Sequence, residues 1–160
     1  LLVERATFLP MVRKTLQWII AGILIADVLL IAVPGWVDAT GMRGIYGWIC
    51  HQATTRCLWL GEKPTPVCGR CFGLHLGMAA TFVYTLLSTR MPAQKWRLLG
   101  LFTGVLLVMA SVAVELSTGW NLSTPLRMTT GLFLGGFLGM SLGAALRGEI
   151  PDKKKMQRRD

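Results

Sequence analysis

Four cysteines and one histidine lie within 22 residues of the 160-residue chain, and the chain has no other cysteine. These residues are Cys50, His51, Cys57, Cys68 and Cys71. Two cysteines separated by two residues, as Cys68 and Cys71 are, bring their sulfurs together at one turn, as in metal half-sites and redox dithiols. Helix N-termini and nearby cations lower thiol pKa values, so Arg70 and the helix expected after it favour thiolates.

This spacing permits three kinds of chemistry. In a metal site, Cys68 and Cys71 would supply one half. Cys50 would complete the other half with either His51 or Cys57, and such a set suits tetrahedral zinc. An iron–sulfur cluster would use all four cysteines. A redox protein would exchange electrons between a Cys68–Cys71 pair and a Cys50–Cys57 pair, and structural disulfides would be chemically inert.

Membrane-spanning helices must position these residues. The chain is 52% hydrophobic with a mean hydropathy of +0.51. Its apolar residues form four stretches close to the roughly 20 residues that cross a bilayer as a helix. The predicted spans are 16–37, 72–88, 98–116 and 128–146. Since lipid cannot satisfy backbone polar groups, we expect an all-α bundle of four transmembrane helices in one membrane domain, residues 1–160.

Basic residues predict the orientation of these helices. Twelve of the 17 Lys and Arg residues precede the first span, fill the second loop or lie in the tail 147–160, whereas five lie in the first and third loops. The positive-inside rule therefore predicts that both termini are cytoplasmic and that the cysteine loop 38–71 lies outside the cytoplasm. We expect the tail to contact anionic headgroups of the lipid bilayer rather than nucleic acid.

The cysteine loop contains an apolar segment of its own. Residues 45–60 predict a short amphipathic helix on the membrane surface, which would place Cys50 and Cys57 on one face. Pro64 and Pro66 would end any helix before the Cys68 turn.

Two polar residues interrupt the predicted spans. Asp27 lies near the middle of the first span, where a carboxylate is costly. It is either a proton or cation site, or part of a hydrogen bond between packed helices. His75 follows Cys71 by one helical turn, and we expect it to be a hydrogen-bonded packing residue outside the site.

A stripe of glycines and a second polar loop complete the candidate features. Gly131, Gly135, Gly139 and Gly143 repeat every four residues in the last span, which allows another helix to approach closely. The stripe predicts packing within the bundle, a homo-oligomer, or a groove for a lipid or quinone tail. In the third loop, Glu115 and Arg127 could pair at the membrane edge, where a lower dielectric strengthens attraction. Glu115 could instead act as an acid–base group or cation ligand.

Several short motifs resemble those of a known family. They are Cys50-His51-Gln52, Arg56, the run 66–73 with Gly77, and Arg127 with Thr130, Gly131 and Gly135. With these residues the chain resembles a family of small prokaryotic multi-pass membrane proteins defined only as a domain of unknown function. The resemblance implies that Cys50, His51, Cys68 and Cys71 are the shared set, whereas position 57 is often serine. It favours a Cys3His site, with Cys57 as an extra or substitute ligand.

We therefore expect a non-enzymatic membrane protein, either an accessory protein or a subunit of a larger complex. Its extracytoplasmic zinc-type site would order a loop that binds a partner subunit. Arg56, Arg70, Glu115 and Arg127 would brace this loop against the helices. The alternative is a quinone-linked membrane thiol–disulfide oxidoreductase that uses the pairs Cys68/Cys71 and Cys50/Cys57.

Overall fold

Helices form most of the described chain. A computed structural model of the protein describes residues 2–33, 43–88 and 90–148. The helices are α1 (Leu2–Ala32), α2 (Arg43–Gly47), α3 (Gly69–Leu87), α4 (Gln94–Thr118) and α5 (Thr124–Leu146), and a 3-10 turn (Thr54–Arg56) precedes the strands β1 (Cys57–Leu60) and β2 (Lys63–Cys68). The end of the first predicted span (34–37), the start of the cysteine loop (38–42) and the tail beyond residue 148 lie outside the described residues.

Four helices are long and apolar enough to cross a membrane. They are the segment Met11–Ala32 of α1, and the whole of α3, α4 and α5. Large apolar side chains on these helices, such as Ile23 and Phe102, are more than 60% exposed, as expected of side chains that face lipid. The prediction of a mostly helical protein with four such helices is therefore confirmed.

The parallel helices α3 and α5 make the largest helix–helix contact. Gly131 packs against the Arg70 carbonyl group, Gly135 against that of Leu74, and Gly73 against that of Met128. A Cβ atom at any of these glycines would overlap the facing backbone. The glycine stripe of the last span thus packs against α3 of the same chain, as the first of the three alternatives predicts. It is not an open face for a second copy or a quinone tail.

The outer helices pack antiparallel to this central pair. Helix α1 lies on α3, and α4 lies on α5, where Gly100 and Gly104 contact Phe137 and Leu134. At one end of the molecule, an Arg13 guanidinium nitrogen donates to the carbonyl oxygen of Arg147 at 2.8 Å. The cysteines lie at the opposite end, at the start of α3.

A β-hairpin replaces the amphipathic helix expected over residues 45–60, so that prediction is wrong. Helix α2 ends at Gly47, and residues 57–60 pair with β2 in an antiparallel ladder. Gly61 (φ +67°) adopts the left-handed conformation in the turn between the strands, which glycine accepts without strain. Cys50 and Cys57 consequently do not share a helix face.

Candidate metal centre

Three of the four cysteine sulfurs lie together at the start of α3. Cys50 follows α2, Cys68 ends β2, and Cys71 lies in the first turn of α3. Their sulfur atoms all lie within 4.8 Å of one another, and no two of the three are joined by a disulfide. Tetrahedral coordination with zinc–sulfur bonds of about 2.3 Å places sulfurs roughly 3.8 Å apart. Small side-chain rotations would therefore fit these three cysteines around one such ion.

The Cys50 sulfur is surrounded by hydrogen-bond donors. The Cys68 backbone N–H donates to it at 3.1 Å. Hydrogen bonds with the Cys68 and Cys71 side chains, supported by the backbone N–H groups of Cys68 and Gln52, hold the pKa of the Cys50 thiol well below its usual range, although burial opposes this. These hydrogen bonds favour the thiolate form of Cys50, which is the form that binds metals.

Gln52 has an unusual backbone conformation beside this sulfur. Its φ of 47° lies in the left-handed region, and it is the only non-glycine residue with positive φ among those described. Such a conformation costs about 1–3 kcal/mol unless its surroundings hold it. The Gln52 N–H interacts with the Cys50 sulfur. The turn at Gln52 thus supplies a hydrogen-bond donor to the candidate site, which gives the Cys-His-Gln motif a structural role.

The sulfurs rest on a small apolar core. Ile31 of α1, Tyr46 of α2, Val67 of β2 and Phe72 of α3 are buried together with Cys50. Cys68 precedes α3 with an extended backbone (φ −67°, ψ 160°), so the chain changes from strand to helix between the two cysteines of the Cys-x-x-Cys motif. Four different segments thus meet beneath the cysteines.

The other two predicted ligands lie outside this group. The His51 side chain is exposed. Cys57 is buried, and its thiol donates to the carbonyl oxygen of Ala53 at 3.2 Å. In the hairpin, Cys57 faces Cys68 as its cross-strand partner. The structure therefore brings together Cys50, Cys68 and Cys71, and it places His51 and Cys57 at the edge of the group.

Beside the cysteines, a buried ion pair connects α4 and α5. Arg127 is 1% exposed, and its Nε donates to Glu115 Oε1 at 2.6 Å. A second Arg127 nitrogen donates to Asn121 Oδ1 at 3.3 Å. Arg70, between the two cysteines of the motif, approaches the same Glu115 oxygen at 3.5 Å, and the charge of Arg56 also acts on Glu115. The bracing of the outer loop by these four residues stays a prediction.

A second polar cluster, which the sequence analysis did not assemble, connects α1 to α3 and α2. His75 Nδ1 hydrogen-bonds with one Asp27 carboxylate oxygen, and the Tyr46 hydroxyl donates to the other oxygen at 3.0 Å. Burial, together with this bond to Asp27, raises the Tyr46 pKa to about 12. Two ionisable residues in separate apolar spans were the available signal, since such residues usually pair.

Comparison with known proteins identifies a family of membrane proteins. No curated protein and no solved structure matches the chain. The family model described as "Predicted membrane protein (DUF2085)" matches residues 50–141. The match contains all three clustered cysteines, His75 and the Glu115–Arg127 pair, and it covers more than half of the chain. The protein therefore belongs to the DUF2085 family of membrane proteins, whose function is unknown.

Proposed function

We propose that the protein is a non-enzymatic subunit or accessory protein of a prokaryotic cytoplasmic membrane, and that Cys50, Cys68 and Cys71 hold a zinc-type ion. The approach of their three sulfurs to within 4.8 Å is the observation that carries this proposal. Thiolates are soft ligands that select zinc, monovalent copper or iron–sulfur clusters. A cluster needs a fourth thiolate, and Cys57 lies outside the group, so a single ion is the better candidate.

His51 is the proposed fourth ligand, because it follows Cys50 directly and its imidazole is exposed beside the site. A closed set of three thiolates and one imidazole is a structural rather than a catalytic zinc site, since it leaves no position open for a substrate.

The ion would join segments that share little core. Cys50 belongs to the segment after α2, Cys68 to the hairpin and Cys71 to α3. A metal that binds only the folded arrangement adds its binding free energy to the folding free energy. Its proposed task is therefore to fix the outer loop on the transmembrane helices.

The fixed loop presents an apolar surface of Ile45, Trp48 and Ile49. These side chains are 61%, 94% and 62% exposed. We propose that this surface binds another subunit in the membrane. A Trp48→Ala variant should then lose that subunit on purification, as should chelated wild type. Quenching of Trp48 fluorescence by brominated lipids would instead assign this surface to the bilayer.

The proposed orientation places this loop outside the cytoplasm. Its support is the charge pattern: Arg13 and Arg147 meet at the end of the molecule opposite the cysteines, and basic residues favour the cytoplasmic side. A single cysteine introduced at exposed Glu62, in a variant whose native cysteines are replaced by serine, should react with a membrane-impermeant maleimide in intact cells. Labelling only after lysis would reverse the orientation.

Elemental analysis of purified protein tests the metal site. We expect about one zinc per chain. Cys68→Ser and Cys71→Ser should each lose most of it, whereas Cys57→Ser should retain it. Cys57→Ser is the matched control, because it makes the same chemical change at a buried cysteine of the same hairpin. Protein that neither contains zinc nor takes it up would overturn the proposal.

A quinone-linked thiol–disulfide oxidoreductase is the second candidate. Two observations favour it: the closeness of the Cys50, Cys68 and Cys71 sulfurs, and an apolar cleft of about 280 Å³ between α1 and α3, lined by residues that include Val28 and Leu76. A Cys68–Cys71 dithiol would pass two electrons and two protons to a quinone, leaving a disulfide and a quinol. Metal-free protein that reduces added quinone would select this candidate.

A further inference from the structure

Cys57 lies directly opposite Cys68 in the hairpin of β1 and β2. Facing residues of an antiparallel pair have Cα atoms about 4.5–5.5 Å apart and side chains on the same face. A disulfide requires Cα atoms about 4.4–6.8 Å apart. The backbone is therefore placed for a bond between these two cysteines without any change in strand pairing.

Thr65 holds this register. The ladder is irregular between Cys57 and Trp59. In this stretch the Leu58 N–H donates to Thr65 Oγ1 at 3.2 Å, and Thr65 Oγ1 donates to the carbonyl oxygen of Val67 at 2.8 Å. Thr65 is 1% exposed. Its buried side chain thus hydrogen-bonds with the backbone of both strands beside the irregularity, and the strands face each other again at Cys57 and Cys68.

Cys68 has a second set of neighbours. Its sulfur lies within 4.8 Å of the Cys50 and Cys71 sulfurs. The Cys57 thiol donates instead to the carbonyl oxygen of Ala53. Rotation of Cys57 to another staggered position would turn its sulfur from that carbonyl towards Cys68. Cys68 can therefore belong either to the three-sulfur group or to a bond across the hairpin, but not to both.

We propose that Cys57 and Cys68 form a reversible disulfide that withdraws Cys68 from the metal site, so that oxidation releases the ion. The release of the ion rests on the proposed function, whereas the formation of the bond does not. Without Cys68, the proposed ligands Cys50, Cys71 and His51 are one short of a closed set of four, so the site should hold the ion more weakly.

The oxidant is a disulfide, either of low molecular weight or on a protein. The half-buried Cys68 gives up its proton and attacks one sulfur of this disulfide, which forms a mixed disulfide and releases a thiolate that takes up that proton. Cys57 then attacks the Cys68 sulfur of the mixed disulfide, and its proton passes to the second departing thiol. Two cysteine thiols are oxidised while one external disulfide is reduced to two thiols. Because Cys57 is buried beside its strand partner, the second step needs no access from solvent.

Oxidised glutathione tests this chemistry on the full chain purified in detergent and loaded with zinc. Peptide mapping under non-reducing conditions should find Cys57 linked to Cys68, and zinc should be lost in parallel with this link. A reductant should restore both thiols and zinc binding. A Cys68–Cys71 or Cys50–Cys68 link, with Cys57 still open to alkylation after denaturation, would overturn the proposal.

Removing Cys57 separates the second step from the first. Reduced Cys57→Ala should bind zinc as the wild type does, but after oxidation it should keep a glutathione adduct on Cys68. Cys57→Ser serves as a second variant in case alanine packs poorly. A variant that forms an internal disulfide as fast as the wild type, without an adduct, would exclude Cys57 as the attacking thiol. If reduced wild type binds no zinc, the proposed function fails, while the peptide map still decides the pairing.

Discussion

Gly131 of α5 packs against the backbone carbonyl group of Arg70, the residue that lies between Cys68 and Cys71. The glycine contact between α3 and α5 thus begins where the candidate metal centre lies. Helix packing and cysteine geometry are therefore coupled at this position.

Substituting Gly131 should disturb both the packing of α3 on α5 and the geometry of the cysteines. A Cβ atom there would overlap the Arg70 carbonyl group, and overpacking of this kind costs about 1–3 kcal/mol. Gly131→Ala should lower the thermal unfolding midpoint in detergent and weaken zinc retention. Gly22→Ala is the matched control, because it lies in α1 with no atom within 4 Å of its Cβ position. Equal midpoints for the two variants would contradict the close packing.

The Glu115 carboxylate should matter more to stability than either of its arginine partners. Glu115→Gln leaves the buried Arg127 and the nearby Arg70 without a negative charge, whereas Arg127→Met leaves Glu115 with Arg70 at 3.5 Å. Breaking a buried ion pair costs about 3–5 kcal/mol. We expect Glu115→Gln to lie at the upper end of this range and Arg127→Met below it. The prediction fails if Arg127→Met lowers the free energy of unfolding more than Glu115→Gln does. It also fails if Glu115→Gln lowers it no more than Glu62→Gln, a change at an exposed residue.

Asp27 and His75 should be energetically coupled across α1 and α3. Asp27 and His75 hydrogen-bond with each other inside apolar spans. Replacing one therefore leaves the other without this partner in an apolar environment, which is costly. A double-mutant cycle of Asp27→Asn and His75→Leu should give a coupling free energy of about 0.5–3 kcal/mol. Thermal unfolding of the four proteins in one detergent measures it. Additive effects would show that the two side chains do not interact.

Tyr46 should lose its proton at a higher pH than an ordinary tyrosine does. Burial and the bond to Asp27 raise its pKa from 10.0 to about 12. Since the folded pKa is the higher one, the contribution of this contact to stability is complete below pH 10.0 and is lost as the pH rises through about 12. Phenolate absorbance after a rapid pH jump should show this late component.

Two variants identify the component. Tyr46→Phe should remove it and leave the signal of Tyr84, the other tyrosine. Asp27→Asn should lower its midpoint but not to the usual value, because burial is the larger cause of the shift. A late component that survives in Tyr46→Phe would contradict the assignment.

The transmembrane helices could be predicted because hydrophobic length alone decides them. The approach of Cys68 to Cys71 could also be predicted, since two intervening residues fix it locally. Cys50 is also a predicted ligand, but its approach to the other two cysteines is not fixed locally. Its position depends on the contact of α2 with β2 and on the left-handed turn at Gln52, which no local rule supplies.

The hairpin was missed because short apolar runs do not distinguish strand from helix. Leu58, Trp59 and Leu60 fit either structure, and the two-residue turn at Gly61 and Glu62 was the overlooked signal. Two ionisable residues in separate apolar spans are a signal for the Asp27–His75 bond, but this signal does not fix the geometry of the bond. That geometry depends on how α1 and α3 are rotated about their axes, which tertiary packing sets.

The four-residue repeat of glycines leaves the seam between α3 and α5 with more than one possible alignment. If α3 slid by one repeat, glycines would again meet backbone, yet Cys68 and Cys71 would move by about 6 Å along α5. Such a slide would separate Arg70 from Glu115 and both cysteines from Cys50. The polar groups at the end of the seam fit only the observed alignment. The candidate metal centre and the Arg70–Glu115 pair should therefore fix the alignment of the two helices as well as stabilise them.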